Sequence, residues 1–160
     1  MVDCSHLHTA GRESTINETA IAADSVRVTA QKTFSSHMDH LAAGRGREWV
    51  DLFTEDAVLE FPYAPEGYPA RITGRKELLK HMEGFTSTFR VEFTQLHFYE
   101  TVDPSMVIAR LDCVGVARDT GRPYNQSYLS VVETSDGKIS RYVDYWNPLV
   151  VLDAVSGTHN

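Results

Sequence analysis

Apolar residues recur every three or four positions in the first part of the chain, a spacing typical of a helix that is buried along one side. The stripe runs through Val26, Ala30, Phe34 and Met38, and it stops in the glycine-containing segment around Gly44. Glycine after the last periodic residue is a common way for a helix to end. The pattern therefore predicts a first helix over residues 24 to 44.

Two shorter helices and one strand follow. Residues 48–53 place Trp49 and its neighbours Leu52 and Phe53 on one side of a helix, and residues 75–83 do the same with two leucines and a methionine. Between them, the segment AVLEF at 57–61 is predicted to be a strand that Pro62 ends, because proline cannot continue a hydrogen-bonded ladder. The segment PYAPEGYPARITG is predicted to be a long loop.

After residue 90 the pattern changes to the alternation of β-strands. Four strands are predicted, in the segments VEFTQLHFYE, MVIARLDCVGVAR, YNQSYLSVVET and KISRYVDYWN. Asp136-Gly137, between the last two, is a strong signal for a tight hairpin. Helices that precede an antiparallel meander must cover one face of it, so we expect an α+β fold in which a bent, cone-shaped antiparallel sheet wraps around the N-terminal helices. Such a cone leaves a cavity that is open at one end.

The predicted domain organisation is simple. Residues 1–20 are polar and aperiodic, which predicts a flexible tail, and residues 156–160 form a short C-terminal tail. Residues 21–155 then make one α+β domain. His6 and His8 in the tail have no third ligand nearby in sequence, so no metal site is predicted there.

Charge and composition exclude several classes of function. The chain has 160 residues, a formal net charge of −7 and no cluster of basic residues, which argues against binding to nucleic acid or to an anionic membrane. No apolar run approaches the roughly 20 residues that a membrane-spanning helix needs. With two cysteines and no signal-peptide pattern, we expect a cytoplasmic location. Without a glycine-rich phosphate loop or a cluster of metal ligands, no cofactor is predicted.

The most informative single residue is Asp144, which lies in the largely apolar segment RYVDYWNPL. A buried carboxylate without a partner is costly, so Asp144 must be exposed, paired or used in chemistry. Alternation along the strand places Tyr142 and Trp146 on the same face.

An arginine and an aspartate on an earlier strand offer a partner. Arg110 and Asp112 share one face of the segment 106–118, and a guanidinium can bridge two carboxylates, so Arg110 could join Asp112 to Asp144 and tune its protonation. The other interpretation is a plain ion pair on a solvated outer face. With Arg110 turned inward, an apolar outer surface is expected that would need a partner. Its members would be Val107, Leu111, Cys113, Leu129 and Val131.

The segments LFTEDAVLEFP, ITGRKELLKHM and TGRPYNQSYLSVVETSDGKISRYVDYWNPL resemble the SnoaL-like polyketide cyclases, which belong to the nuclear-transport-factor-2-like, ketosteroid-isomerase-like superfamily. The resemblance covers roughly residues 25 to 155. It implies the cone-shaped fold, a small apolar substrate and a homodimer across the sheets. It does not fix the reaction, because this fold hosts isomerases, cyclases, hydrolases and binding modules.

Two branches of the superfamily guide the choice of residues. The limonene-epoxide-hydrolase group has an Arg-x-Asp pair and a later Asp, which Arg110, Asp112 and Asp144 match. Its water-holding residues are replaced by apolar side chains at positions 59 and 61. The phenazine-biosynthesis proteins resemble this chain at His81 and Asp144, where an imidazole and a carboxylate could share one cavity and move a proton.

The leading hypothesis is a cofactor-free cyclase or isomerase acting on an apolar, oxygenated, polyketide-like substrate in a natural-product pathway. Asp144 would be the general acid or base, Arg110 and Asp112 would set its protonation, and His81 would be a second proton-transfer group. The alternatives are an epoxide hydrolase or epoxide-opening cyclase and a non-catalytic, small-molecule-binding dimer module. The expected substrate-binding residues are Tyr63, Tyr124, Tyr128, Tyr142, Trp146 and, as a minor candidate with a surface role as its alternative, Glu60.

Overall fold

The computed structural model describes residues 7–157 and the side chains from residue 12 onward. It contains four helices and six strands within this range. The helices are α1 (Leu7–Ala42), α2 (Gly46–Val50), α3 (Arg75–Thr88) and α4 (Pro148–Val155). The strands are β1 (Phe53–Glu60), β2 (Arg71–Thr73), β3 (Phe89–Tyr99), β4 (Met106–Ala117), β5 (Gln126–Ser135) and β6 (Lys138–Tyr145). The α+β fold class with N-terminal helices and a curved, open sheet is confirmed.

Helix α1 is much longer than its apolar stripe predicted. It begins at Leu7, so most of the expected tail over residues 1–20 is helical, while residues 1–6, including His6, lie outside the described residues. Residues 12–22 are exposed along their whole circumference. This segment contains no helix-breaking proline. It therefore extends the packed part of α1 as one continuous helix, although it buries no apolar face.

The six strands form one sheet in the order β2-β1-β6-β5-β4-β3. Strands β3 to β6 make the expected antiparallel meander, but β1 pairs with β6 in parallel, so the expectation of a wholly antiparallel sheet is wrong at this pair. After β1 the chain forms β2, α3 and then the meander. The last strand of the meander, β6, lies beside β1 and runs in the same direction. Strand β2 forms inside the segment that was predicted to be a loop.

Backbone conformation at two places shapes the sheet. Asp136 and Gly137 have φ values of 49° and 77°, as a two-residue hairpin between β5 and β6 requires. In β3 the register with β4 shifts between Thr94 and His97, where Gln95 has a φ of 54°. Such bulges bend a strand and increase its twist, which fits the sheet's curvature around the packed part of α1.

The other differences from prediction concern element ends. Phe53 begins β1 and does not end the second helix, because its backbone pairs with Ile139 of β6 and its side chain is fully buried.

Helix α4 was not predicted. It starts at Pro148, a favourable first helical residue, and the side chain of Asn147 accepts a hydrogen bond from the backbone N–H of Leu149 at 3.0 Å.

The inner and outer faces of β4 are the reverse of those expected. Val107, Leu111 and Cys113 are buried on the concave side, whereas the side chain of Arg110 is 60% exposed on the convex side. Helix α1 packs against the concave side of β4, so the uncharged residues of the alternating pattern face that side and are buried there. Because side chains alternate, placing Leu111 inside necessarily turns Arg110 and Asp112 outward.

The face of α1 that carries Ala30, Phe34, His37 and Met38 packs against the concave side of the sheet. No helix within residues 7–157 is both long and apolar enough to cross a membrane.

Candidate active site

A cavity of about 680 Å³ lies between the concave face of the sheet and helices α1, α3 and α4. This volume is in the range of small-molecule sites. Most of its wall is aromatic or aliphatic, and the few polar side chains that reach it from inside are Asp144, His37, His81 and tyrosines. Exposed charged residues lie only toward the opening, at Arg71, Glu77 and Lys80.

Asp144 of β6 lies on the wall of this cavity and is only 9% exposed. It stands directly opposite Ser130 of β5 in the antiparallel ladder, and the Ser130 hydroxyl donates to Oδ1 of Asp144 at 2.8 Å. Ser130 Oγ also lies 3.0 Å from the hydroxyl of Tyr142. The Tyr142 hydroxyl also acts on the carboxyl group, so Ser130, Tyr142 and Asp144 form one buried hydrogen-bonded cluster.

The environment of Asp144 favours its protonated form. Burial raises the pKa of Asp144 to about 7, and the hydroxyls of Ser130 and Tyr142 only partly oppose this rise. No basic side chain among residues 12–157 forms an ion pair with Asp144, so desolvation dominates. A carboxyl group with a pKa near 7 can give or take a proton at neutral pH.

The second oxygen of the carboxyl group is available to a ligand. Oδ1 accepts from Ser130, whereas no hydrogen bond of ordinary length and angle reaches Oδ2 within the described part of the chain, where the Tyr142 hydroxyl is the one other group that lowers the pKa of Asp144. No side-chain oxygen that is fully enclosed there lacks a partner, so Oδ2 reaches accessible space on the cavity wall. The strand pairing thus fixes one oxygen and leaves the other for chemistry.

A pair of tyrosines forms a second polar feature of the wall. The hydroxyls of Tyr124 and Tyr128 are 2.7 Å apart, and both side chains are buried. Burial, with a smaller contribution from the negative charge of Asp144, raises the pKa of both phenols. Both tyrosines are therefore neutral hydrogen-bonding groups, and one of the two can direct its proton to a ligand.

The structure places His81 of α3 on the same cavity, as predicted. Its ring lies 5.2 Å from that of Phe61, centroid to centroid, and burial lowers its pKa. His81 is therefore neutral at pH 7. The predicted aromatic residues Tyr142 and Trp146 also line the cavity.

His37 of α1 is a cavity residue that was not among the site residues predicted from the sequence; the family resemblance places it where ketosteroid isomerases have an oxyanion tyrosine, and the difference argued against a steroid isomerase. It is 3% exposed, and its Nδ1 accepts a hydrogen bond from the indole N–H of Trp49 at 2.7 Å. Burial lowers the pKa of His37 to about 3. Its position three residues after Phe34, on the apolar stripe of α1, was the signal in the sequence that it would face inward.

The predicted trio of Arg110, Asp112 and Asp144 does not form. Arg110 and Asp112 lie on the convex face, where Arg110 Nη2 is 4.0 Å from Asp112 Oδ1 and the hydroxyl of Ser127 donates to Asp112 at 2.7 Å. Asp144 lies on the opposite face, two strands away from β4. The plain ion pair on a solvated surface is the interpretation that the structure supports.

Two further predicted residues lie outside the main cavity. Tyr63 is 62% exposed, and its ring packs at 5.7 Å from that of Tyr145 in a shallow groove on the outer side. Glu60 pairs with Arg71 at 3.2 Å and with Arg141 at 2.8 Å. Since alternation along β1 turns Leu59 inward, Glu60 must point outward and takes the role of a surface acid.

Comparison with known proteins identifies the family and the fold. The family model of the SnoaL-like domain matches residues 34–142. An uncharacterized PhzA/B-like protein of Pseudomonas aeruginosa is 45% identical over 117 residues, which cover 73% of this chain and 83% of that protein. A crystal structure of a candidate isomerase from Bacillus subtilis superposes with a TM-score of 0.76 at 42% identity, covering 79% of this chain and 91% of that one.

At lower identity, the crystal structure of a candidate polyketide cyclase from Xanthomonas campestris shares the fold. Its TM-score is 0.71 at 18% identity, over 82% of this chain and 99% of that one. The fold is nuclear-transport-factor-2-like, with a curved sheet that borders a largely apolar cavity. The chain belongs to the SnoaL-like family.

Proposed function

We propose that this protein is a cofactor-free isomerase or cyclase that transfers protons at carbon atoms next to a carbonyl group. The observation that carries the proposal is Asp144: a buried carboxyl group with a pKa of about 7, fixed through one oxygen and open to an apolar cavity through the other. A general acid or base works best when its pKa lies near the working pH.

The reaction follows from the groups on the wall. The Asp144 carboxylate takes a proton from the carbon next to the carbonyl, the C–H electrons form a C=C bond, and the carbonyl electrons move to the oxygen. In a substrate with a C=C bond next to that carbon the product is a dienolate, and its protonation at the far end of that double bond completes an isomerisation. Attack of the same carbon on a second carbonyl of the substrate closes a ring instead, and the new alkoxide takes the proton. Neutral His81 is the second group that can carry a proton.

The cavity favours an uncharged, apolar, oxygenated substrate. Its inner wall carries no permanent charge near neutral pH, and aromatic rings dominate it. A polyketide-like substrate from a natural-product pathway fits this description, in keeping with the family.

The epoxide-opening alternative loses its main argument, because Arg110 and Asp112 lie on the other face of the sheet. The binding-module alternative required Asp144 to be neutralised by Arg110 with no room beside it, and neither condition holds within the described residues. A protein that binds such ligands without turning them over is nevertheless a distinct outcome of the test below.

Deuterium exchange tests the proposal without knowledge of the natural substrate. A panel of bicyclic and tricyclic ketones is incubated with the protein in D₂O, and loss of the α-proton signals is followed by NMR. We expect faster exchange with the wild type and the background rate with Asp144→Asn. Asp112→Asn is the matched control, since its carboxyl group lies on the convex face. Binding of the ketones without faster exchange would contradict the enzyme proposal.

The predicted homodimer is also a proposal. Of the five residues expected on the outer surface, Leu129 and Val131 are on the convex face, and Val114 adds a further exposed apolar side chain there. Light scattering of the purified full chain measures the oligomeric state directly, and a mass of one chain at micromolar concentration would contradict the dimer.

A further inference from the structure

The hydrogen bond from Trp49 to His37 decides which imidazole nitrogen carries the proton. The indole N–H can only donate, so Nδ1 of His37 must be the unprotonated nitrogen that accepts at 2.7 Å. A neutral imidazole has one N–H, and it must therefore be on Nε2. The tautomer of His37 is fixed by a residue of the neighbouring helix.

The charge of His37 is fixed by its surroundings as well. Within the described residues no carboxylate lies within ion-pairing distance of either nitrogen, and the nearest charged influence is another histidine, His40, on the same helix. The other rings packed against His37 belong to Phe34, Phe53 and Tyr142, besides Trp49. Tyr142 is itself neutral because burial raises its pKa. Nothing in this environment would stabilise an imidazolium.

The Nε2–H has no partner in the described part of the chain. His37 contributes to the cavity wall, and no fully enclosed side-chain nitrogen there is left without a hydrogen bond, so Nε2 reaches the accessible space of the cavity. The site thus contains a neutral donor whose proton cannot move to Nδ1 while Trp49 holds that nitrogen.

The His37 ring also packs against Tyr142, a member of the hydrogen-bonded cluster that contains the acid–base group. Its centroid is 5.1 Å from that of Tyr142, whose hydroxyl continues through Ser130 to Asp144. A ligand that contacts Oδ2 of Asp144 with one carbon atom therefore has room to place an adjacent oxygen toward the His37 side of the same cavity. Removing a proton beside a carbonyl moves negative charge to that oxygen, and a preorganised donor stabilises it there.

We propose that His37 is a catalytic hydrogen-bond donor, which binds the substrate oxygen through Nε2–H as negative charge develops on it, and that Trp49 is its positioning residue. A neutral donor suits this role, because an imidazolium would be costly to bury in this largely apolar cavity. The inference rests on the proposed proton-transfer function and adds to it the group that receives the charge.

The first test examines the imidazole alone, in the full chain labelled with ¹⁵N-histidine. We expect the ¹⁵N shifts of His37 to show the neutral Nε2–H form throughout pH 5 to 8. Trp49→Phe keeps a ring but removes the indole N–H, and it should give a mixture of the two tautomers. His97→Gln, at an exposed position on β3, identifies signals unrelated to the cavity. A protonated His37, or an Nδ1–H form in the wild type, would overturn the inference.

The second test uses the ketone exchange assay. His37→Phe keeps the ring shape and removes the donor, so we expect the exchange rate to fall by about 100- to 1,000-fold, as for loss of one such donor. His37→Gln retains an amide N–H near the position of Nε2 and should recover part of the rate. Trp49→Phe should lower the rate less than His37→Phe.

The two proposals fail in different ways. If Asp144→Asn abolishes exchange but His37→Phe exchanges as the wild type does, the role of His37 is wrong and the proton-transfer function stands. If the wild type does not accelerate deuterium exchange in any of the ketones, both the proposed function and the catalytic role of His37 fail. The tautomer measurement still tests the hydrogen bond from Trp49.

Discussion

Ser130 and Asp144 face each other across β5 and β6, and the serine hydroxyl donates to the carboxyl oxygen at 2.8 Å inside the cavity. A second serine–aspartate pair, Ser127 of β5 with Asp112 of β4, lies on the convex face with a hydrogen bond of 2.7 Å. The pairs have the same chemistry and differ in burial. Comparing them separates the effect of the cavity from that of the hydrogen bond.

The first prediction concerns stability and Asp144. A carboxyl group whose pKa rises from 3.8 unfolded to about 7 folded binds its proton more tightly in the folded state, so it favours folding at low pH and this benefit is lost as pH rises to about 7. Each pH unit in this window corresponds to about 1.4 kcal/mol. Asp144→Asn carries no charge and should therefore be about 2 to 3 kcal/mol more stable, relative to wild type, at pH 8 than at pH 5.

Urea unfolding at the two pH values measures this difference. Asp112→Asn serves as the control, because it removes a carboxyl group that lies on the convex face and outside the cavity. An equal effect of Asp144→Asn at pH 5 and pH 8 would show that the carboxyl group titrates normally.

The second prediction concerns acid sensitivity and His37. The pKa of this imidazole falls from 6.5 unfolded to about 3 folded, so the folded state loses stability as pH drops below 6.5. His37→Gln cannot be protonated, and between pH 7 and pH 5 it should lose about 2 kcal/mol less stability than the wild type. The quantity compared is the change in the free energy of unfolding between the two pH values, so any loss of stability that the substitution causes at pH 7 does not affect the test. His97→Gln, at an exposed position on β3, is the matched control for the loss of a histidine.

The third prediction is a shift in the pH profile of exchange. As a base, Asp144 must be ionised, so the rate should rise with pH to a plateau, with a midpoint near 7. The Ser130 hydroxyl stabilises the carboxylate, and Ser130→Ala should therefore move the midpoint upward. Ser127→Ala removes the matching hydroxyl on the convex face and should leave the midpoint in place. A downward shift in Ser130→Ala would contradict the assignment of Asp144 as the base.

The fourth prediction tests whether Arg110 lies on the convex face, as in the structure, or beside Asp144, as the sequence suggested. Arg110→Ala should leave both the exchange rate and its pH midpoint unchanged, because the guanidinium lies on the convex face. Its exposed pair with Asp112 should contribute less than about 1 kcal/mol to the free energy of unfolding. A loss of exchange in Arg110→Ala, with the fold retained by circular dichroism, would show that Arg110 does reach the carboxyl group.

The amino-acid sequence by itself determined the kind of fold and the most informative residue. The apolar stripe of α1, the alternation in β3 to β6 and the Asp136-Gly137 hairpin all depend on local periodicity and backbone preference, which neighbouring residues decide. Asp144 was identifiable because a carboxylate in an apolar strand needs an explanation, and the family resemblance pointed to the same residue and to His81.

Only the tertiary structure decided which face of each strand is inside. Arg110 and Leu111 are adjacent, and both orientations of β4 satisfy the alternation, so packing against α1 had to choose between them. The same holds for partners that are distant in sequence. Ser130 meets Asp144, and Trp49 meets His37, through strand register and helix packing, which no local pattern records. The acid–base group could thus be found in the sequence, whereas the hydroxyl and the imidazole around it depend on long-range contacts.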